Sequence, residues 1–361
     1  MPLDNVPNWI IETVNEGCRF ISADCWLCVY DLLPASQLGL GIALISHRFD
    51  FYVDEHFKTR KWTLKFMEIW RKNGTREMEI VNCYWKRLPI PQIQMPRKVI
   101  GFEGIRISFI DRNAIAFLHR FPSLFAACPI NLSIILKNSD RLLEFILRNI
   151  WPMLKDKICG IIFYCLNNLR ILRHFVPSLL NNCPLLRVVN VYYDDFFIEF
   201  PADDSAAASD GQAMAKWLFT PLQSNAPKVL ICSLDLNAAK WLSSTEAFKA
   251  AFVSASSPVN FIAVIRVHRW PFADSIVPFD LSNKLTREQL TLKRIDYSYR
   301  FLFVRCPIAR DESKWTKWEE EAIGWQFYDH WKQIQIAINR EDEIGDGLLD
   351  AMPGPSDQQQ K

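Results

Sequence analysis

The sequence predicts a mixed α/β protein, with a small helical unit ahead of a larger domain in which strands and helices alternate. Two observations predict it. Three short amphipathic helical patterns crowd into residues 21–57, and from about residue 100 apolar strand-like runs recur at a nearly constant spacing with helical patterns between them. The segments implied are a lead-in (1–20), a helical docking unit (21–60), a linker with short strands (61–99), an α/β repeat domain (100–270), a C-terminal α/β cap (271–339) and a disordered tail (340–361).

In the helical unit, Trp26, Val29, Tyr30 and Leu33 recur at helical spacing and halt at Pro34. A second run, Leu38, Ile42 and Ile45, follows a short polar turn. Phe49, Val53 and Phe57 then share one face of a third helix, with His47, Arg48, Asp50, Asp54 and Glu55 turned outward. So short a unit buries too little to be stable alone, which points to a surface that docks on something else.

Beyond it, Trp62, Leu64 and Phe66 alternate with Thr63 and Lys65 as in a strand, and residues 78–83 read as another. The prolines of LPIPQIQMP, residues 88–96, fit neither a helix interior nor a strand ladder, so that run is a connector.

The repeat begins with a duplication. Phe121-Pro122 through Cys128-Pro129 is echoed by Val176-Pro177 through Cys183-Pro184, and 184 minus 129 is 55. A weaker copy lies midway, from Trp151-Pro152 to Cys159, and a later one runs from Thr220-Pro221 to Ala226-Pro227, which gives a unit of about 27 residues. Candidate strands centre on Ile107, Ile134, Ile162, Asn190, Cys232 and Val264, in steps of 27, 28, 28, 42 and 32. Between them, Leu142, Leu143, Ile146, Leu147 and Ile150 share a helical face, and Ser243–Glu246 has the form of a capping box opening another helix. One strand and one helix per unit, with a cysteine or small residue just before each strand, is the pattern of a degenerate leucine-rich-repeat-like α/β solenoid whose strands stack in parallel. The long step contains residues 194–212, rich in Ala, Ser and Asp and read as an exposed loop. After residue 270, strands are expected at 290–297 and 301–306, a helix with Trp315, Trp318 and Trp325 on one side at 311–325, and a last strand carrying Ile334, Ile336 and Ile338, which together close the end of the array.

Composition narrows the function. The chain has 361 residues, half of them hydrophobic, and 42 basic against 40 acidic side chains leave a formal charge of +2. That is too small a field to imply nucleic acid or an anionic membrane as partner. Ten cysteines, several inside apolar runs as at Cys165 and Cys232, fit a reducing compartment. Neither a signal peptide nor a membrane-spanning run is read, so an intracellular protein, cytoplasmic or nuclear, is expected.

Catalytic motifs are not found. Cys25 and Cys28 have redox or half-zinc spacing but no second ligand pair, and packing within the first helix is the expected role. The six histidines form no HExxH pair, and neither a phosphate-cradling glycine loop nor a GxSxG elbow occurs. No enzyme, metal or cofactor is expected.

Leu33-Pro34-Ala35-Ser36-Gln37-Leu38 followed by Ile45-Ser46-His47-Arg48-Phe49 resembles an F-box: a leucine-proline turn, a leucine a few residues on, then an aliphatic, a small residue, a basic pair and an aromatic. It departs from that pattern where Ile21-Ser22 replaces the opening leucine-proline and His47 the first basic residue. FKTRKWTLKF, CPI and SSPVNF extend a resemblance to the large divergent F-box families of nematodes over most of the chain. The resemblance implies a substrate-recognition adaptor of an SCF-type ubiquitin ligase. Residues 21–57 would bind a Skp-type linker subunit through Trp26, Leu33, Pro34, Leu38 and Ile45, and the repeats would bind a protein target. The alternative is a repeat-scaffold interaction protein outside any ligase.

Overall fold

The computed structural model describes residues 22–33, 38, 42–59, 62–64, 66–71, 78–82, 87–88, 99–120, 129–136, 140–164, 166–234, 238–267, 273–274, 276–295, 299–325, 333–338 and 343–345. The lead-in, Pro34, most of the proline-rich connector, the first copy of the duplicated turn (121–128) and Cys165 lie outside them. The chain divides into two compact units, Met1–Thr63 with Met95–Ile100, and Leu64–Gln94 with Gly101–Lys361.

In the first unit, Ser22 caps helix α1 (Ala23–Tyr30), its side chain accepting from the Cys25 amide. A single 3-10 turn, Ile42–Leu44, precedes α2 (His47–Thr59). Tyr30, Leu38, Phe49 and Val53 make a small core against which Trp26, Leu33, Ile42, Ile45 and Phe57 pack. The face expected of α2 is the one observed, because Phe49 and Val53 sit one turn apart.

The strands are β1 (Trp62–Leu64), β2 (Met67–Arg71), β3 (Met78–Asn82), β4 (Arg87–Leu88), β5 (Val99–Phe102), β6 (Gly104–Ile107), β7 (Ile130–Leu136), β8 (Ile158–Phe163), β9 (Val188–Asp195), β10 (Lys228–Leu234), β11 (Phe261–Val267), β12 (Phe279–Asn283), β13 (Glu288–Arg294), β14 (Arg300–Pro307) and β15 (Gln333–Ile338). β1 and β5 pair apart from the rest. The larger unit holds one 13-stranded sheet in the order β12-β13-β14-β11-β10-β9-β8-β7-β15-β6-β2-β3-β4. From β2 to β11 neighbours are parallel, and antiparallel hairpins finish both edges. All six strands expected from the spacing form where expected, and β7 to β11 lie side by side in chain order.

Helices α3 (Arg112–Arg120), α4 (Asp140–Asn149), α5 (Trp151–Leu154), α6 (Leu166–Phe175), α7 (Asp210–Leu218) and α8 (Ala238–Val253) fall in the crossovers between successive strands. A run of right-handed crossovers advancing in one direction puts its helices on one face of the sheet. That face is apolar: Leu132 and Ile134, Ile161 and Phe163, Val189 and Val191, Leu230 and Cys232, Ile334 and Ile336 are all buried. Near the antiparallel edge it encloses one ion pair. Arg305, fully buried, donates to Glu288 at 2.6 Å and to the Ser257 carbonyl at 3.1 Å, and its guanidinium lies over the rings of Phe219 and Phe252. Glu288 also accepts from the Val259 amide at 2.7 Å. A buried pair survives only with its remaining polar atoms engaged, as most are here.

Helix α9 (Glu312–Gly324) covers part of the opposite face. Trp315, Ala322 and Trp325 pack on Ile162, Val188, Val229, Ile231, Ile262, Val264, Leu302 and Val304.

Four expectations change. The last strand does not close an end of the sheet: β15 lies inside it, parallel to β6 on one side and β7 on the other. Its alternation of Ile with Gln and Ala suits a central strand buried on one face and polar on the other. Residues 194–212 are no simple exposed loop, since Phe196, Phe197 and Ile198 are buried and Ser209 opens α7 with a reciprocal capping box to Gln212. The box read at Ser243–Glu246 lies inside α8, because Ala238, Ala239 and Lys240 are good helix formers and carry the helix back past it. Within the expected tail, Ile344 bridges Ile110, and the Gly345 amide donates to the Ile110 carbonyl at 2.7 Å.

Candidate functional site

The residues expected to dock a partner separate by burial. Leu38 is fully buried, so its side chain belongs to the core of the helical unit and not to its surface. Trp26 meets Phe49 edge-on at 4.9 Å and is half-buried, as are Leu33 and Ile45. Pro34 lies outside the described residues. The apolar side chains this unit offers to solvent are others: Leu32 at 83% exposure, Phe51, Leu44 and Val29. Helical phase could have found Phe51, which lies across α2 from Phe49 and Val53. Leu32 follows the last helical residue, where phase no longer applies. Cys25 and Cys28, expected to pack inside, are exposed free thiols.

The second candidate is the face of the large sheet opposite the crossover helices. Register carries Asn131 and Ser133 of β7, Gly160 and Ile162 of β8, Val188 and Asn190 of β9 and Gln333 and Gln335 of β15 onto it. Glu68 and Arg106 lie there too, paired at 3.3 Å. Polar residues are thus concentrated on one side of strands whose other side is hydrocarbon. Ser133 Oγ and Asn190 Oδ1 are buried on this face and make no hydrogen bond among the described residues.

Toward the carboxyl ends of the parallel strands the same face opens to solvent. Tyr192, 40% exposed, contacts the Tyr164 ring at 5.7 Å. From β11, Arg266 reaches across Ser233 and sets its guanidinium 5.7 Å from the Tyr192 ring. Ser233 itself is buried and donates to the Tyr192 carbonyl at 3.1 Å. Arg300 of β14 is the register partner of Arg266. Burial, and then the like charge of Arg300, pull the Arg266 guanidinium below its usual range, partly offset by Tyr192.

At the amino ends a cleft of about 590 Å³ lies between the sheet and α9. Leu185, Leu222, Val188 and Trp325 line it, and Arg187 and Glu321 pair at 3.4 Å at its side. Cys159 donates to Asn131 Oδ1 at 3.5 Å within it, and burial pushes its thiol up to about 11. Buried Cys183 is pushed up to about 12. Both stay protonated near neutrality and offer no thiolate nucleophile.

Among the described residues, no three His, Cys, Asp or Glu side chains are grouped to hold a metal ion, and no helix is long and apolar enough to cross a membrane. Comparison with protein-family models, with curated proteins and with solved structures finds no match.

Proposed function

We propose that the chain is an F-box-type substrate-recognition adaptor of an SCF-type ubiquitin ligase, its helical unit docking on a Skp-type linker subunit and its leucine-rich-repeat-like α/β domain holding a protein target. The observation that carries this reading is the helical unit itself. Its described residues close a core around Tyr30, Leu38, Phe49 and Val53 yet leave Val29, Leu32, Leu44 and Phe51 exposed, in the stretch that carries the leucine-proline and Ile-Ser-His-Arg-Phe pattern. A small helical unit that spends apolar residues on its surface is suited to burying them against a partner. The parallel sheet supports the second half, since a rigid array with polar residues along one face and an exposed rim at the carboxyl ends of its strands suits a partner surface. On this reading the chain performs no transfer chemistry; it positions a target for the catalytic subunits.

The test is co-purification of the full chain with a Skp-type subunit, using Leu32→Asp and Phe51→Asp. Both side chains are exposed, so the fold is expected to survive, as circular dichroism would check. Capture by the parent and a loss of about tenfold or more in the folded variants is the expected result. Leu38→Asp is a poor probe because it would put a charge in the core. A folded parent that captures nothing would leave the α/β domain as a scaffold outside any ligase.

A further inference from the structure

We propose that Cys25 and Cys28 form a thiol modification site beside the docking face of the helical unit, taking a low-molecular-weight disulfide of the glutathione type and closing into a Cys25–Cys28 disulfide that switches docking off. The oxidation stands on the geometry of α1 alone. Its effect on a partner rests on the ligase reading.

Both cysteines are free and exposed to solvent. Three residues apart on α1, they are neighbours on one side of the helix, and burial shows which side that is. Trp26, Leu27 and Tyr30 pack inward, whereas Cys25, Cys28 and Val29 are exposed, as is Leu32 just past the helix end. The two thiols thus adjoin the apolar side chains offered to a partner. The Ser22 hydroxyl donates to the Cys25 sulfur at 3.3 Å, a bond that a thiolate retains, so Cys25 is assigned the first attack. The other free thiols among the described residues are less open. Cys159 is half-buried and pushed up to about 11, Cys183 is buried and pushed up to about 12, and Cys232 and Cys306 are buried. Access and thiolate supply therefore select α1.

The Cys25 thiolate attacks one sulfur of glutathione disulfide, forming a mixed disulfide and releasing one glutathione thiolate. The Cys28 thiolate then attacks the Cys25 sulfur and releases the second. Two cysteine thiols lose two electrons, glutathione disulfide gains them, and the two thiol protons pass to the glutathione leaving groups. Closing the bond needs Cβ atoms about 3.5–4.5 Å apart, but helical neighbours at this spacing stand about 5–6 Å apart. An eight-residue helix must therefore distort, which carries Val29 and Leu32 from their reduced positions. A bond strained in this way is readily reduced, so the change reverses when the thiol pool recovers.

The test titrates the full chain with glutathione disulfide against glutathione, reading mass and capture of a Skp-type subunit in parallel. Tryptic peptide 20–48 holds these two cysteines and no other. It is expected to lose two hydrogens while Cys159 and Cys183 stay reduced, and capture to fall about tenfold or more and return with dithiothreitol. Cys28→Ser should trap the glutathione adduct on Cys25, since nothing resolves it. The double variant Cys25→Ser, Cys28→Ser should keep its own reduced level of capture under oxidant. A lasting adduct on the parent with no internal disulfide, oxidation spread equally over the buried cysteines, or an oxidised chain that captures as well as the reduced one would overturn the proposal. A reduced parent that captures nothing counts against the ligase reading, and the mass of peptide 20–48 then decides the site by itself.

Discussion

Lys228, the first residue of β10, is buried against the ring of Trp217 and donates to the Trp217 carbonyl at 2.5 Å. It has no carboxylate in ion-pair reach among the described residues, and burial pulls its ammonium from 10.5 down to about 8. Between those values the unfolded chain holds a proton that the folded chain has released, so stability rises with pH from about 8 to about 10.5, and the whole penalty is present below 8. Lys228→Met removes it at the loss of one hydrogen bond and a cation–π contact, and should raise stability near neutral pH by about 1–2 kcal/mol. Urea midpoints of parent and variant, compared at neutral pH and near pH 10, should show that gain shrinking as pH rises. Much of this was open to reading from the sequence. Lys228 shares strand parity with Leu230 and Cys232, and parity alone puts it on the apolar face. Leu38 and Leu32 were harder, because the first packs where a short unit closes on itself and the second lies just past a helix end, and neither position has a period to read.

At the scale of elements, the pattern located the strands well and the connections poorly. Two of the Pro-containing copies lead into their strands, Val176 through Pro184 into β9 and Ala226-Pro227 into β10. The segment between β9 and α7 misled because its composition is that of a loop while its first part, Phe196 to Ile198, is core. What fixes the end of that segment is the cap: Ser209 Oγ accepts from the Gln212 amide at 3.1 Å, the Gln212 side chain accepts from the Ser209 amide at 2.9 Å, and Ser209 also donates to Glu199 at 2.6 Å. Ser209→Ala should lower stability by about 1 kcal/mol in chemical denaturation, and Ser209→Asn, which keeps a capping oxygen, by less. A similar constraint acts at Gly160, where a Cβ would overlap the Asn131 side-chain oxygen close under Trp325. The strand there has no room for a side chain because Asn131 already fills the space that α9 covers.

For the larger unit as a whole, the decisive feature is a pairing that no local pattern announces. A solenoid read from its period should be stable as a sum of neighbouring repeats, losing end units with little effect on the rest. β15 changes that expectation. It comes from late in the chain, yet Gln333–Ile336 pairs with β6 and Gln333–Ile338 with β7, so in the sheet β15 stands between these two strands, whose expected centres lie 27 residues apart. Hydrophobic alternation could identify β15 as a strand; its place depended on which edges were left unpaired, a long-range property. The sheet should therefore unfold as one cooperative body. A chain ending at Trp325 would leave β6 and β7 with bare ladders in the middle of the sheet and uncover the apolar face that Ile334 and Ile336 bury. Ile336→Asp, which adds a charge at that buried position while keeping the full length, separates loss of the strand from loss of the tail. Both changes should abolish the single urea transition expected of the parent and open β2 to β7 to proteolysis. Two resolved transitions in the parent, or a truncated chain that unfolds at the parental midpoint, would mean that the two halves of the sheet are independently stable and that β15 only fills the space between them.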